Sequence, residues 1–256
     1  MEFRNLHHQD TPVLICNVWD AASARVAQKA GFKAIGTSSA AIAALLGYKD
    51  GAGISFRELA YLVERVITAT SLPLTVDMES GYSREPNAIV ANIRALSDLG
   101  IVGINLEDSI VDGSRSLQNA EVFAATIAAI KAGLANSGTD IFLNVRTDTF
   151  LLGCADAVED TVRRGRLYAA AGADGLFVPC IEKAHDIEVV VQSTALPVNV
   201  MCMPQLPSFK TLQALGVKRI SMGNFLFDGM YRHLEDSFKA IQADQSFERV
   251  FQHADR

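Results

Sequence analysis

Short apolar runs rich in β-branched residues alternate with longer amphipathic segments along the whole chain. Short continuous apolar runs are typical of buried strands, and apolar positions at helical spacing are typical of helices packed on a sheet. The pattern predicts eight strands, at residues 13–19, 34–39, 74–79, 103–108, 141–148, 175–181, 197–202 and 219–223. Strands that alternate with helices in this way indicate βα units and a parallel sheet.

The ends of the predicted helices support the same arrangement. Gly31, Gly100, Gly172 and Gly216 each follow a helix-like segment and lead into the next predicted strand. Glycine is favoured just past a helix end because it adopts the left-handed conformation without steric cost. The repeated order of helix, glycine and strand therefore predicts a regular βα repeat.

Eight strands in 256 residues favour a closed (β/α)8 barrel of the TIM type over an open doubly wound sheet. A doubly wound sheet usually carries a glycine-rich phosphate loop after its first strand, and the segment 20–27, "DAASARVA", contains no glycine. We predict one α/β-barrel domain over 1–256 with a C-terminal helical extension at about 224–256. The long connection at 45–55 is a candidate functional loop.

The charge and the hydropathy of the chain limit the classes of partner that we expect it to bind. The formal net charge is -6 and there is no basic block, so a nucleic-acid partner is not expected. A small anionic substrate remains compatible with this charge, because a bound metal ion can supply local positive charge. The apolar runs are far shorter than the roughly 20 residues of a membrane helix, and the first residues do not resemble a signal peptide. We therefore expect a soluble protein of the cytoplasm without a membrane partner.

The cysteines and histidines do not form a recognisable motif. The four cysteines have no C-x-x-C spacing, so we interpret them mainly as small buried hydrophobic residues in a reducing compartment. Cys180 and Cys202 lie near predicted strand ends, which leaves a reactive thiol as an alternative. His185 follows the sixth strand and is a weak candidate for a proton relay. The other histidines fall away from the strand ends and are expected at the solvent or an interface; they are His7, His8, His233 and His253.

Acidic residues cluster where the predicted strands end, which is where a barrel of this type carries its chemistry. Asp77 and Glu79 end the third strand on one face, Glu107 ends the fourth, and Asp50 lies in the long loop beside them. Carboxylates this close repel one another unless a cation lies between them. Oxygen ligands without histidine or cysteine suit Mg²⁺ or Mn²⁺. The sequence therefore predicts a site for one of these ions.

Structural alternatives exist for several of these residues. Asp20 and Asp108 precede predicted helices and are better interpreted as helix caps. Arg146, at the end of the fifth strand, is either a counter-ion of the acids or a clamp for a carboxylate or phosphonate. Trp19 and Asn199, in the first and seventh strands, are further candidates for substrate binding.

Four ordered motifs carry a resemblance to a known superfamily. "NVWDAASARVAQKAGFKAIGTSSAAIAALLGYKDG", "VDMESGYS", "GINLEDS" and "NVRTD" are similar to segments of the isocitrate lyase and phosphoenolpyruvate mutase superfamily, and "VDMESGYS" resembles its D-x-D-x-G-[YF]-G metal motif. The resemblance runs from about residue 17 to 222. It implies an α/β barrel that binds Mg²⁺ together with an α-oxo acid or its enolate.

The resemblance also implies roles for individual residues. Asp77 would ligate the metal, while Asp50, Glu79 and Glu107 would hold its water ligands. Ser38, Ser39 and Arg146 would bind the carboxylate or phosphonate of the substrate. Members of the superfamily are commonly tetramers with a swapped last helix, so we expect a homo-oligomer, a dimer or tetramer, in which "NFLFDGMYRHLEDSFKAIQ" is that helix.

Departures from the superfamily pattern limit which of its reactions we expect this chain to catalyse. The second acid of the metal motif is Glu79, and Ser83 replaces its last glycine. The lyases carry a K-[KR]-C-G-H lid after the residue that matches Glu107, whereas this chain has no cysteine or histidine between Cys16 and Cys154. The lysine and asparagine of the mutase lid are also missing. The chain is closer to the subgroup with members similar to oxaloacetate decarboxylase and carboxyphosphonoenolpyruvate phosphonomutase.

These features predict a Mg²⁺-dependent lyase or decarboxylase that breaks a C–C bond of a small α-oxo or 2-hydroxy carboxylic acid through a metal-bound enolate. Asp50, Glu107 and Arg146 are the candidate catalytic residues. A phosphonomutase that acts on a P–C bond is the second possibility among enzymes. A barrel that binds an oxo acid without turnover is the alternative outside enzymes.

Overall fold

The computed structural model describes residues 3–51 and 53–251 and shows a closed barrel of eight parallel strands. The predicted (β/α)8 barrel is confirmed. The barrel strands are β1 (Val13–Val18), β2 (Ala34–Thr37), β3 (Leu74–Asp77), β4 (Gly103–Glu107), β7 (Phe142–Arg146), β8 (Gly175–Val178), β9 (Val198–Met201) and β10 (Arg219–Ser221). Around the barrel the strand order is β1-β10-β9-β8-β7-β4-β3-β2.

Helices surround the barrel and connect its strands. They are α1 (Ala21–Lys29), α2 (Ser39–Leu46), α3 (Phe56–Ile67), α4 (Pro86–Asp98), α5 (Ala120–Asn136), α6 (Ala157–Ala170), α7 (Ala184–Ser193), α8 (Phe209–Ala214), α9 (Phe225–Asp244) and α10 (Glu248–Phe251). The predicted single domain over 1–256 includes 1–2, 52 and 252–256, which lie outside the described residues. In the part of the chain that the structure describes, no helix combines the length and apolar character needed to cross a membrane.

Each predicted strand contains one barrel strand, and the segment after Glu107 forms two further strands that were not predicted. It forms an antiparallel hairpin of β5 (Ser109–Asp112) and β6 (Ser114–Leu117). Gly113 turns the chain between them with a φ of 70°, a value that favours glycine. Polar residues dominate the hairpin, so its sequence lacks the apolar run that marks a buried strand.

The two predicted aspartate caps have different outcomes. Asp20 caps α1, where its carboxylate accepts a 2.7 Å hydrogen bond from the backbone N–H of Ser23. The prediction for Asp108 is wrong, because this residue precedes the hairpin and not a helix. Its fully buried carboxylate accepts hydrogen bonds from Thr147 and Tyr168, both at 2.7 Å.

A short 3-10 helix at Phe3–His8 closes the amino-terminal end of the barrel. His7 is only 1% exposed and its ring stacks on that of Phe142, with 4.1 Å between centroids. The expectation that His7 lies at the solvent or an interface is therefore wrong, since the aromatic stack and the barrel end bury it. His8 and His233 are exposed, and His253 lies outside the described residues.

The middle of the barrel is polar. Asn144 Nδ2 donates hydrogen bonds to Asn105 Oδ1 at 2.9 Å and to Asn199 Oδ1 at 3.2 Å, so an amide ladder crosses the interior. A Cβ atom on Gly175 would lie 2.7 Å from Asn144 Oδ1, so a larger residue there would displace the ladder. This layer lies directly below the carboxyl ends of the strands and forms part of the floor of the site.

Candidate active site at the carboxyl end of the barrel

A cavity of about 140 Å³ opens at the carboxyl-terminal end of the barrel. Residues from several strand ends contribute to its wall, as expected for this fold. Among the predicted site residues, the cavity is lined by Ser38, Ser39, Asp50, Asp77 and Arg146. The barrel thus brings Ser38 and Arg146, which are far apart in the chain, to the wall of one cavity.

Asp77 is held in one orientation by its neighbours on β2 and α2. Ser39 Oγ donates a 2.8 Å hydrogen bond to Asp77 Oδ2, and the backbone N–H of Asp77 donates to Thr37 Oγ1, also at 2.8 Å. Asp77 is 8% exposed. Its Oδ1 atom has only a long contact of 3.5 Å with the N–H of Glu79. This oxygen therefore keeps capacity for a further ligand.

The turn after β3 has unusual backbone geometry. Glu79 and Tyr82 adopt positive φ angles of 50° and 59°, in the left-handed region that non-glycine residues rarely occupy. Such conformations cluster at functional sites, where the surrounding structure imposes them. Burial, followed by the charges of Asp77 and Glu107, raises the pKa of Glu79 to about 7.

Glu107 lies behind the cavity wall in contact with two arginines. Arg115 forms an ion pair with Glu107 Oε1, and Arg146 Nη1 lies 3.2 Å from Oε2 without hydrogen-bond alignment. Burial nevertheless raises the pKa of Glu107 to about 7, because desolvation outweighs the attraction of these cations. Asp148 completes the network, since Arg146 Nε donates to its Oδ1 at 2.6 Å.

Arg115 is a site residue that the sequence did not single out. It lies on β6 of the hairpin, and its Nη1 atom donates to Ser109 Oγ at 2.8 Å and to Asp148 Oδ2 at 3.1 Å. Its Nη2 atom lies 3.7 Å from Asp50 Oδ2. Arg115 therefore connects the hairpin, the barrel and the long loop. A polar hairpin without periodicity carries no sequence signal for this role.

Other predicted residues lie outside the cavity wall. Trp19 is buried at 7% exposure and packs edge-on against Phe227, with 5.2 Å between ring centroids. Asn199 belongs to the amide ladder and donates to Ser221 Oγ at 3.1 Å. Glu79 lies next to the cavity but is not among the residues that line it. Direct roles of Trp19, Asn199 and Glu79 in binding stay predictions.

The carboxylates fit an ion that is held mainly through water. Within residues 3–51 and 53–251, no group of three or more acidic, histidine or cysteine side chains is close enough to coordinate one ion directly. Mg²⁺ usually takes one or two protein carboxylates and keeps several waters. Asp77, with its available Oδ1, fits the role of direct ligand, and Asp50 fits that of a partner through water.

The cysteines lack the environment of a reactive thiol. All four are free, and none belongs to the wall of the cavity in the described part of the chain. Burial raises the pKa of Cys16 and of Cys180, so both thiols stay protonated and weakly nucleophilic. His185 is exposed on α7 and lines a different surface groove. Cys16 is buried, Cys154 and Cys180 are half-buried and Cys202 is exposed, so the interpretation of the cysteines as small buried residues is confirmed for Cys16 and wrong for Cys202.

Comparison with known proteins assigns the chain to a family. The profile of the phosphoenolpyruvate phosphomutase family matches residues 3–242. This chain belongs to that family. It is 26% identical over 248 residues to an oxaloacetate decarboxylase of Paraburkholderia xenovorans (strain LB400), covering 94% of this chain and 81% of that protein.

Solved structures of the family have the same fold. A candidate phosphonomutase from Burkholderia cenocepacia J2315 superposes with a TM-score of 0.87 at 38% identity, covering 93% of this chain and 97% of the other. A 2,3-dimethylmalate lyase, a member of the PEP mutase/isocitrate lyase superfamily, superposes with a TM-score of 0.84 at 23% identity, covering 95% and 87%. Both superpositions extend over more than nine-tenths of this chain and show that the fold is shared.

Proposed function

We propose that this protein is a Mg²⁺- or Mn²⁺-dependent decarboxylase of a small α-oxo dicarboxylic acid such as oxaloacetate. The observation that carries the proposal is the composition of the cavity. It combines a metal-type carboxylate, Asp77, with the anion-binding side chain of Arg146 and contains no cysteine or histidine among its described lining residues. The named activity of the Paraburkholderia relative supports the same substrate class.

The residues of this chain would position the substrate. Arg146 offers a planar guanidinium that suits a carboxylate, and the amino terminus of α2, at Ser39 and Ala40, offers backbone N–H groups to the same kind of anion. A bound Mg²⁺ would stabilise negative charge at the 2-oxo oxygen. Asp77 would fix the position of that ion, because Ser39 and Thr37 hold the aspartate in place.

Decarboxylation needs little more than these contacts. The bond between C3 and C4 breaks, C4 leaves as CO₂, and the electron pair moves towards the 2-oxo oxygen as an enolate. Solvent can then protonate C3 to give pyruvate. A lyase that releases a larger carbon nucleophile needs a positioned acid, and general acid–base help is worth about 10²–10⁴-fold. The absence of a lid cysteine therefore favours decarboxylation.

The test is a turnover screen with Mg²⁺ that measures pyruvate release from oxaloacetate, 2,3-dimethylmalate and methylisocitrate. We expect oxaloacetate to react and methylisocitrate to react at least about 10²-fold more slowly. Because Mg²⁺ alone decarboxylates oxaloacetate, the Asp77→Ala protein at equal Mg²⁺ is the control. Efficient methylisocitrate cleavage would contradict the proposal and would point to a proton donor elsewhere in the site.

A phosphonomutase is the second candidate function. The Burkholderia structure, at 38% identity over 93% of this chain, is the observation that favours it. Arg146 would bind a phosphonate as readily as a carboxylate. Conversion of phosphonopyruvate to phosphoenolpyruvate, followed by phosphorus NMR, would replace decarboxylation as the assigned reaction. Binding of oxaloacetate without turnover of any substrate would instead support an oxo-acid-binding barrel.

We propose further that the active form is a homo-oligomer in the cytoplasm. The C-terminal helix α9 carries exposed apolar residues at four-residue spacing, namely Leu226, Met230, Leu234 and Phe238. A contiguous apolar stripe of this kind is typical of an interface. The four free cysteines are compatible with a reducing compartment.

A further inference from the structure

Arg219 is a buried arginine without an ion-pair partner among the residues that the structure describes. It begins β10, is 2% exposed, and its Nη2 atom lies 3.3 Å from Asn105 Oδ1. Its Nε and Nη1 atoms have no acceptor, and no carboxylate lies within ion-pair distance in the described residues. An uncompensated buried charge is strongly destabilising, so its retention needs an explanation.

Two other arginines, the buried Arg164 on α6 and the half-buried Arg146 on β7, do form ion pairs. Arg164, which is 5% exposed, binds Asp108 at 3.0 Å and Asp160 at 2.7 Å. Arg146 binds Asp148 at 2.6 Å. The fold therefore provides carboxylates for buried arginines elsewhere. Arg219 has one hydrogen bond to an amide oxygen, and the charge that acts on it, that of Asp77, lies beyond ion-pair distance.

Arg219 also belongs to the wall of the active-site cavity. It lines the cavity together with Asn105 and Ser221, below the strand ends that carry Asp77 and Arg146. Arg219 is the first residue of β10 and pairs with Asn199, whereas Arg146 is the last residue of β7. Arg219 therefore lies deeper in the barrel, and the cavity has one cation near its mouth and another at its floor.

We propose that Arg219 is a specificity-determining residue that makes the cavity select dianions, a dicarboxylate or a carboxylate with a phosphonate, over monoanions. The proposal rests on the proposed function in that it assumes an oxo-acid site. The second negative charge of the substrate would supply the direct ion pair that Arg219 lacks among the described residues. In the low dielectric of the barrel interior, that attraction is stronger than in water.

The proposal predicts an unusual combination of effects on removing the charge. Arg219→Met should reduce the affinity for a dianion because the attraction at the floor is lost. The same substitution should leave the melting temperature unchanged or raise it, because replacing an unpaired buried charge by an apolar side chain removes a desolvation cost. A residue with a purely structural role would show the opposite change in stability.

The experiment is calorimetric titration of the full-length protein with oxalate and with pyruvate, at one fixed Mg²⁺ concentration. We expect the ratio of oxalate to pyruvate affinity to fall at least about tenfold in Arg219→Met and Arg219→Gln, since a lost charge contact of this kind is worth 1.4 kcal/mol or more. Arg164→Met is the matched control, and it should lower the melting temperature while keeping the ratio.

The outcomes separate this inference from the proposed function. An unchanged affinity ratio in folded Arg219→Met and Arg219→Gln, with wild-type turnover of oxaloacetate intact, would overturn only the role of Arg219. Failure of both variants to fold would make Arg219 a structural residue and would also overturn it. Wild-type protein that binds neither oxalate nor pyruvate would reject the proposed function and, with it, this inference.

Discussion

Ser39 Oγ donates a 2.8 Å hydrogen bond to Asp77 Oδ2, although the two residues are 38 positions apart. Ser39 is the first residue of α2 and Asp77 the last of β3, so the barrel closure brings them together. The bond occupies one oxygen of the carboxylate and leaves Oδ1 with a single long contact. The aspartate is thereby oriented before any ligand binds.

We expect Asp77→Ala to abolish Mg²⁺ binding and activity while the barrel stays folded. Among the described residues, Asp77 is the carboxylate that lines the cavity at a strand end and has an available oxygen, and the alanine removes it. Calorimetric Mg²⁺ titration and thermal melting measure the two effects. Asp20→Ala is the control, because it removes a helix cap worth about 0.5–2 kcal/mol outside the cavity. Unchanged Mg²⁺ affinity in Asp77→Ala would refute the assignment of this ligand.

The barrel was predictable because its strands are buried on both faces. Runs such as 74–77 and 103–107 are fully buried, so they are short, rich in apolar residues and interrupted only by Thr75 and Asn105 before the acid at the carboxyl end. The acids at those ends were found by the same logic. The glycines that follow helices, Gly31, Gly100, Gly172 and Gly216, gave the boundaries of four strands.

The parts that the sequence missed depend on long-range contacts. Arg115 reaches the site from a polar hairpin, and only the folded geometry shows that Glu107 lies beside it. His7 is buried because the 3-10 helix folds under the barrel, which no local pattern indicates. Arg219 did offer a signal, since an arginine inside an apolar strand of a barrel must point to a polar interior or a ligand.

His7 should make the protein sensitive to acid. Burial is the main cause that lowers its pKa to about 3, and the positive charge of Arg219 adds to the effect. Below pH 6.5 the unfolded chain therefore binds a proton at this histidine, whereas His7 of the native protein stays neutral until the pH approaches 3. Stability from this group is complete above pH 6.5 and is lost as the pH falls towards 3, by up to about 1.4 kcal/mol per pH unit.

His7→Phe should reduce that slope, because phenylalanine keeps the stack on Phe142 and cannot take up a proton. The measurement is urea unfolding at several values between pH 4 and 8, chosen as roughly spanning the titration of histidine. His8→Phe is the matched control, since His8 is the exposed neighbour. Equal slopes for the wild type and His7→Phe would show that other groups dominate the acid response.

The apolar stripe on α9 predicts an oligomer interface. Leu234 is 41% exposed and Phe238 57% exposed, on the same face of the helix. We expect Leu234→Lys to shift the protein towards monomers, measured by light scattering after size-exclusion chromatography. Asp236→Lys, on the opposite face of the same helix, is the control. A monomeric wild-type protein at micromolar concentration would contradict the predicted homo-oligomer.

Arg146 and Arg115 allow a matched test of substrate binding against charge balance. Both contact Glu107 and Asp148, but only Arg146 lines the cavity among the described residues. Lysine keeps the charge and loses the planar fork that binds a carboxylate with two parallel hydrogen bonds. We therefore expect Arg146→Lys to raise the KM for oxaloacetate about tenfold or more, and Arg115→Lys to change it by less than about threefold.

Mg²⁺ affinity, measured by calorimetry, should stay within about threefold of the wild type in Arg146→Lys, since a lysine preserves the local charge. Equal KM values for the two variants, together with a lower melting temperature for Arg146→Lys, would identify Arg146 as a structural counter-ion of Asp148 and Glu107 instead of a substrate clamp.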